Sequence, residues 1–201
     1  MKNFASKIFS YRSYIPIPFL LIALLFQNAT WQSLVVGFII AIIGESFRFW
    51  GVAYAGSETR TTNKVGGSYL VVSGAFGHLR NPLYLGNILL YSGFGIMSYA
   101  LFPYLQILGL IFFYLQYKII IDEEEKYLTQ TFGSQYDDYK KNVPRIFPRI
   151  TSYKNNNIVQ PPLNIKGGLR SERRTLQALV IVTVILVLFY LFDIRILGKL
   201  I

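Results

Sequence analysis

Apolar residues in this chain come in long runs, not at the spacings of three and four that mark one face of a soluble helix. Residues 175–192, "TLQALVIVTVILVLFYLF", hold no charged side chain. As a helix that run reaches about 27 Å, close to the roughly 30 Å of a bilayer's hydrocarbon core. Residues 34–55 and the stretch 82–121 supply length for three more such spans, the second stretch being divided near Pro103. A shorter run, "YIPIPFLLIALLF" at 14–26, carries Pro16 and Pro18 and is prolonged by "QNATW". The expected fold is an all-α membrane protein forming a single membrane domain over residues 1–201. Its five transmembrane helices are expected at 14–30, 34–55, 82–101, 104–121 and 175–192.

The polar connections between these runs are organised. Asp122, Glu123, Glu124 and Glu125 stand together at the end of the fourth span. Acids at a helix C-terminus oppose the macrodipole, so either the helix continues or a cation lies close by. Leu128, Phe132, Tyr136, Tyr139 and Val143 follow at spacings of three or four, as an amphipathic interfacial segment would place them. Gly133 is expected to interrupt that segment, Ser134 to cap a second short helix, and Pro144 to end it. Residues 150–172 read as a loose linker. Residues 56–81 form a polar, glycine-rich loop with a short apolar patch, "YLVV". Pro82 suits the first turn of the third span, where its missing N–H costs nothing. Within the second span, Glu45 and Arg48 are three residues apart and share a face, which predicts an internal ion pair.

Charge fixes the expected orientation. The chain is 53% hydrophobic and only 15% charged, against about a quarter charged in a soluble domain. Its net charge of +10 is sorted by connection. Lys2, Lys7 and Arg12 precede the first span, Arg60, Lys64 and Arg80 lie between the second and third, and a basic run extends from Lys126 to Arg174. The connections at 27–33 and 98–103 carry no charge. The positive-inside rule then places the N-terminus and the segments 56–81 and 122–172 in the cytoplasm. Anionic headgroups are a sufficient partner for this charge, and no nucleic-acid partner is expected. The first run begins late and no small-residue cleavage site follows it, so no cleavable signal is expected. With no cysteine and one histidine, His78, no metal site is expected either.

The short connection at 98–103 makes spans three and four a tight hairpin. It returns the end of span four to the start of span three. Arg80, Asn81 and Tyr84 thereby face the acids at 122–125. Such a site suits a ligand that is both cationic and anionic, beside a partner that lives in the bilayer. S-adenosylmethionine is one such ligand. Carboxylates and aromatic faces stabilise its cation, and a guanidinium its carboxylate. Methyl transfer asks mainly for positioning, so no strong base is required. These residues single out no catalytic group. They also leave open a protein that binds or carries an amphiphile without chemistry.

The stretch "LVVSGAFGHLRNPLYLGN", followed by "EEEKYLTQTFGSQYDDYKKNVPRIFP", resembles the integral-membrane methyltransferases of the isoprenylcysteine carboxyl methyltransferase and phospholipid methyltransferase superfamily. The resemblance covers about residues 55–149. It rests on the block R-H/N-P-x-Y-x-G and then E-E-x-x-L, F-G, Y-x-x-Y and V-P. It implies an S-adenosylmethionine cofactor held between the membrane helices and the cytoplasmic loop. Ser68, Tyr69, Leu70 and Val71 fall on the family's adenosine-contacting stretch. Asn81, Pro82, Leu83 and Tyr84 fall on its H-P-x-Y block, preceded by Arg80. The paired glutamates fall within Glu123, Glu124 and Glu125, with Glu124 favoured. The implied acceptor is lipid-like: a prenylated cysteine carboxylate, a phospholipid amine, or another hydrophobic nucleophile. The chain departs from the pattern at Asn81, where histidine is common and an amide cannot titrate, and at Phe76, where tyrosine is common. It also lacks the substrate-contacting arginine one turn before the glutamates. Lys118 is the substitute there, as a point charge and not a fork.

Overall fold

The computed structural model describes residues 2–56 and 69–197. Among them the regular structure is helical. In chain order the helices are α1 (Lys2–Tyr11), α2 (Pro16–Leu25), α3 (Trp31–Ala55), α4 (Pro82–Ser98), α5 (Tyr104–Phe132), α6 (Ser134–Asn142) and α7 (Ile165–Leu191), with a 3-10 turn at Gly74–Gly77. Three of these, α3, α5 and α7, are long and apolar enough to cross a membrane. The run expected to span at 14–30 does not build one long helix. It gives α2, of 10 residues, which reaches about 15 Å or half a hydrocarbon core. Local hydrogen bonds explain the break. Gln27 Oε1 accepts the Ala29 amide at 3.0 Å. Thr30 and Ser33 then exchange side-chain bonds to each other's amides at 2.9 and 3.1 Å, a reciprocal cap that starts α3 afresh. α4 begins at Pro82 as expected and has 17 residues.

The chain divides into two compact units. One comprises residues 1–10, 46–85 and 117–173, the other residues 11–45, 86–116 and 174–201. In the second unit, α3 and α4 touch through their backbones. Gly37 and Gly44 lie seven apart on α3, and Gly86 and Gly93 seven apart on α4, so each pair shares a face across two turns. A Cβ on Gly44 would stand 2.6 Å from the Gly86 carbonyl oxygen, and one on Gly93 would stand 2.7 Å from the Gly37 oxygen. Small residues are what such close approach of membrane helices requires. Around this seam Leu34, Ala41, Leu90, Phe94, Met97, Leu179, Val182 and Leu186 form a buried cluster. The α4–α5 turn is closed by Gln106, whose Nε2 donates to the oxygens of Gly95 and Ala100 at 2.8 and 3.1 Å. The outward face of α5 leaves Ile107, Leu108, Ile111 and Leu115 exposed, an apolar surface that suits lipid and not water.

In the first unit α7 starts well before the apolar run that predicted it. Asn164 caps it, its Oδ1 accepting the Gly167 amide at 2.8 Å, while its own amide donates to the Ala53 oxygen at 2.8 Å. Gly167 and Gly168, read as linker, are therefore helical. The early start buries Glu172, which meets Arg48 of α3 at 2.6 Å with side-chain exposures of 0% and 11%. Arg48, expected to answer Glu45, is thus also tied across to α7. Breaking such a buried pair costs far more than an exposed one. At the other end of this unit, α5 runs past its acids to Phe132. Gly133, at φ +51°, ends it and occupies the N-cap of α6 with no side-chain cap, so Ser134 lies inside the helix and does not cap it. Leu70, Val72, Tyr136, Tyr139, Val143 and Ile158 form the core here.

The glycine seam gives the first prediction. Gly44→Ala puts a methyl group against backbone that cannot swing away, and should cost about 1–3 kcal/mol. Gly95→Ala meets only the tip of the Phe19 ring, at 3.1 Å, and should cost less. Thermal unfolding in detergent compares the two.

Candidate functional site

The four acids at the end of α5 persist in a helix because the fold answers them. Lys118 Nζ pairs with Asp122 at 3.0 Å and Lys126 with Glu123 at 2.8 Å, one turn away in each case. Such exposed pairs contribute little. The other contacts come from distant segments. Tyr84 OH donates to Glu124 Oε1 at 2.7 Å. Arg145 reaches Asp122 at 2.8 Å and Glu125 at 2.5 Å. Arg80 meets Glu125 at 2.9 Å through a terminal nitrogen and at 3.0 Å through Nε. Both halves of the earlier alternative hold: the helix continues, and cations lie close by.

Arg80 is fully engaged within the protein. Beside its two contacts with Glu125, NH1 donates to the oxygens of Lys140 and Val143 at 3.0 and 2.6 Å. These are carbonyls at the C-terminus of α6, where the helix dipole favours a cation. The guanidinium and the acids, expected to face each other across a ligand, meet directly in this pair. Two further bonds sew the same seam: the Arg80 amide donates to the Pro144 oxygen at 2.9 Å, and Asn81 Nδ2 to the Arg145 oxygen at 3.0 Å. Arg145 escaped sequence reasoning, although it stands in the quoted "NVPRIFP". Its hydrogen bonds to Glu125, ahead of the cost of burial, push its already high pKa further up.

The remaining expected residues fall into four groups. Tyr84 and Glu124 form a pair, and the Tyr84 ring lies 4.9 Å from that of the buried Tyr117. Pro82 and Leu83 pack: Leu83 Cδ1 would be 2.6 Å from a Cβ on Gly51. Lys118 and Glu123 lie on the exposed side of α5. Of the stretch expected to contact adenosine, Tyr69 is exposed, Leu70 buried and Val71 intermediate, and Ser68 lies outside the described residues. Tyr139 OH donates to the Phe76 oxygen at 2.7 Å. Burial pushes the pKa of Tyr136 and of Tyr139 well up, so both remain neutral packing groups. His78, read as a loop residue, is half-buried; its Nδ1 lies 2.8 Å from the Arg149 oxygen and its ring 5.3 Å from that of Trp50. Among the described residues, no group of three or more His, Cys, Asp or Glu is placed to hold a metal ion.

The described residues thus give a helical chain with three membrane-length helices, carrying an aromatic and carboxylate pair on a frame of paired charges. The sequence profile of the phospholipid methyltransferase family matches residues 32–135, and the chain belongs to that family. It is 28% identical over 147 residues to the cobalt-zinc-cadmium resistance protein CzcN of Cupriavidus metallidurans, covering 70% of this chain and 63% of that protein. It is 32% identical over 139 residues to the protein-S-isoprenylcysteine O-methyltransferase of Xenopus laevis, covering 64% of this chain and 44% of that enzyme. The rat enzyme of the same name is 30% identical over 131 residues. The chain thus spans less than two thirds of the length of these relatives. No solved structure matches it.

Glu125→Ala would leave two guanidiniums facing each other with no shared anion. It should lower stability by roughly 3 kcal/mol. Glu123→Ala should leave the unfolding curve where it was. Denaturant melts of the two variants in detergent test the contrast.

Proposed function

We propose that this chain is an S-adenosylmethionine-dependent methyltransferase acting at the cytoplasmic face on a lipid-like acceptor that enters from the bilayer. The observation that carries this reading is the Tyr84–Glu124 hydrogen bond of 2.7 Å, made inside the family-matched region and backed by the ring of Tyr117. The donor set fits a sulfonium cofactor: a carboxylate and two aromatic rings stabilise a cation. When bound, that cofactor supplies a methyl group on a positively charged sulfur.

The chain's own residues would then do the following. Glu124 meets the positive end, and the Tyr84 hydroxyl fixes the direction of its carboxylate. Tyr69 and Val71 line the adenosine end, anchored by the buried Leu70 between them. Arg80 acts through Glu125, holding the start of α4 against the end of α5, and Asn81 holds the Arg145 carbonyl. Lys118 is the sole cation of α5 before its acids and would meet an anionic part of the acceptor. The basic connections at both ends of this unit support the cytoplasmic orientation. The acceptors that suit the family are the carboxylate of a prenylated cysteine and the amine of a phospholipid.

Calorimetric titration of the detergent-purified chain with S-adenosylmethionine tests the reading. Wild type should bind, Glu124→Gln should bind about tenfold more weakly, a loss of about 1.4 kcal/mol, and the surface change Lys141→Ala should not alter affinity. Absence of binding by wild type would overturn it. Incubation with methyl-labelled cofactor, total lipid extract and a farnesylated cysteine should then move label into one acceptor. Binding without any transfer would leave an amphiphile carrier as the better description.

A further inference from the structure

Residues 143–164 contain no helix and from residue 150 on read in the sequence as linker, yet they are stitched to the loop at 70–80. The Tyr153 amide donates to the Gly77 oxygen at 2.8 Å and the Arg149 amide to the His78 oxygen at 2.9 Å. Ile158 is buried in one cluster with Leu70 and Val72. The centre of this stitching is Gln160. Its Oε1 accepts the amides of Val72 and Ser73 at 2.7 and 3.0 Å. Its Nε2 donates to the Leu70 oxygen at 3.1 Å. One primary amide thus satisfies two donors and one acceptor of the 70–73 backbone, as a neighbouring strand would. Glutamine is one of the few side chains with both functions at that length.

We propose that Gln160 is a positioning residue for the cofactor. It fixes the backbone of residues 70–73, so that Tyr69 and Val71, on either side of the buried Leu70, present the adenosine-facing surface in one conformation. This inference rests on the methyltransferase reading above. It also adds to it an element that lies beyond the family-matched residues 32–135. Affinity follows from preorganisation: a loop already held in its bound shape loses less entropy on binding. Without the amide, two backbone N–H groups lose their partner, and the loop would rearrange to find others.

The test uses two substitutions that separate the roles of the amide. Gln160→Glu keeps the acceptor for Val72 and Ser73 and replaces the donor to the Leu70, Ile158 and Val159 oxygens by a carboxylate oxygen. Gln160→Leu loses both. In calorimetric titrations of the full chain in detergent, Gln160→Leu should bind S-adenosylmethionine about tenfold more weakly, a loss of about 1.4 kcal/mol, and Gln160→Glu should stay within about threefold of wild type. Hydrogen exchange without cofactor should speed at the Val72 and Ser73 amides in Gln160→Leu and not in Gln160→Glu. Wild-type affinity in Gln160→Leu overturns the proposal while leaving the methyltransferase reading intact. So does an equal loss in both variants, or a lowered melting midpoint with unchanged affinity, either of which marks a purely structural side chain. Failure of wild type to bind removes both readings together.

Discussion

Glu125 can be held in its place only because two guanidiniums share it. A carboxylate that is 9% exposed loses most of its hydration, and that loss is offset only by close, well-directed cations. Arg80 comes from the loop before α4 and Arg145 from the segment after α6. One buried anion therefore fixes three stretches of chain that are far apart in sequence. The neighbouring contacts depend on it. Tyr84 lies one turn beyond Arg80 and Glu124 one residue before Glu125, so the hydrogen bond between them forms where the charge cluster sets the two helices. A buried ion cluster of this kind adds little net stability over an apolar one of the same shape. What it adds is registry, since sliding either segment along α5 would separate Glu125 from both guanidiniums.

The same trade recurs elsewhere. Arg48 and Glu172 form a buried pair that fixes where α7 meets α3, in a stretch where apolar side chains alone would tolerate sliding. The glycine seam of α3 and α4 works without charge. Backbones that approach within the reach of a single Cβ have one register in which the glycines face each other. Charge selects register in one unit, and absent side chains select it in the other.

Much of the fold was legible because hydropathy reports length directly. The long apolar runs, the hairpin turn near Pro103, the start of α4 at Pro82 and the break at Gly133 all follow from local chemistry. Hydropathy could not see where an apolar run is cut by polar capping. Thr30 and Ser33 ended the first run early, and Asn164 began α7 early, inside what read as linker. The family block pointed to the candidate site, yet it gave no sign that Arg80 would be consumed by Glu125. Pairing between distant segments depends on tertiary placement, and Arg145 had no periodicity or motif role to mark it. Gln160 was invisible for the same reason: a glutamine in a polar stretch looks solvated until the backbone it serves is known. Segment 56–68, with Ser68, falls largely outside the described residues and adds nothing to either side.

Asn81 carries the sharpest chemical consequence. Its amide donates to the Arg145 carbonyl, a bond that an imidazole N–H could also make. The position thus keeps a structural donor and lacks the proton-accepting nitrogen that histidine would add. On the proposed reading, an acceptor that must lose a proton before methylation would have to find its base among the α5 carboxylates. Those are committed to Tyr84, Lys118, Lys126 and the two arginines. An acceptor that arrives already anionic needs no base, and its charge is cancelled as the bond to the methyl group forms. Lys118 offers such an acceptor a point charge without the two-pronged geometry of arginine. The departures at residues 81 and 118 therefore bear on different halves of one question. The first favours an acceptor that is already ionised; the second loosens how tightly its carboxylate would be gripped.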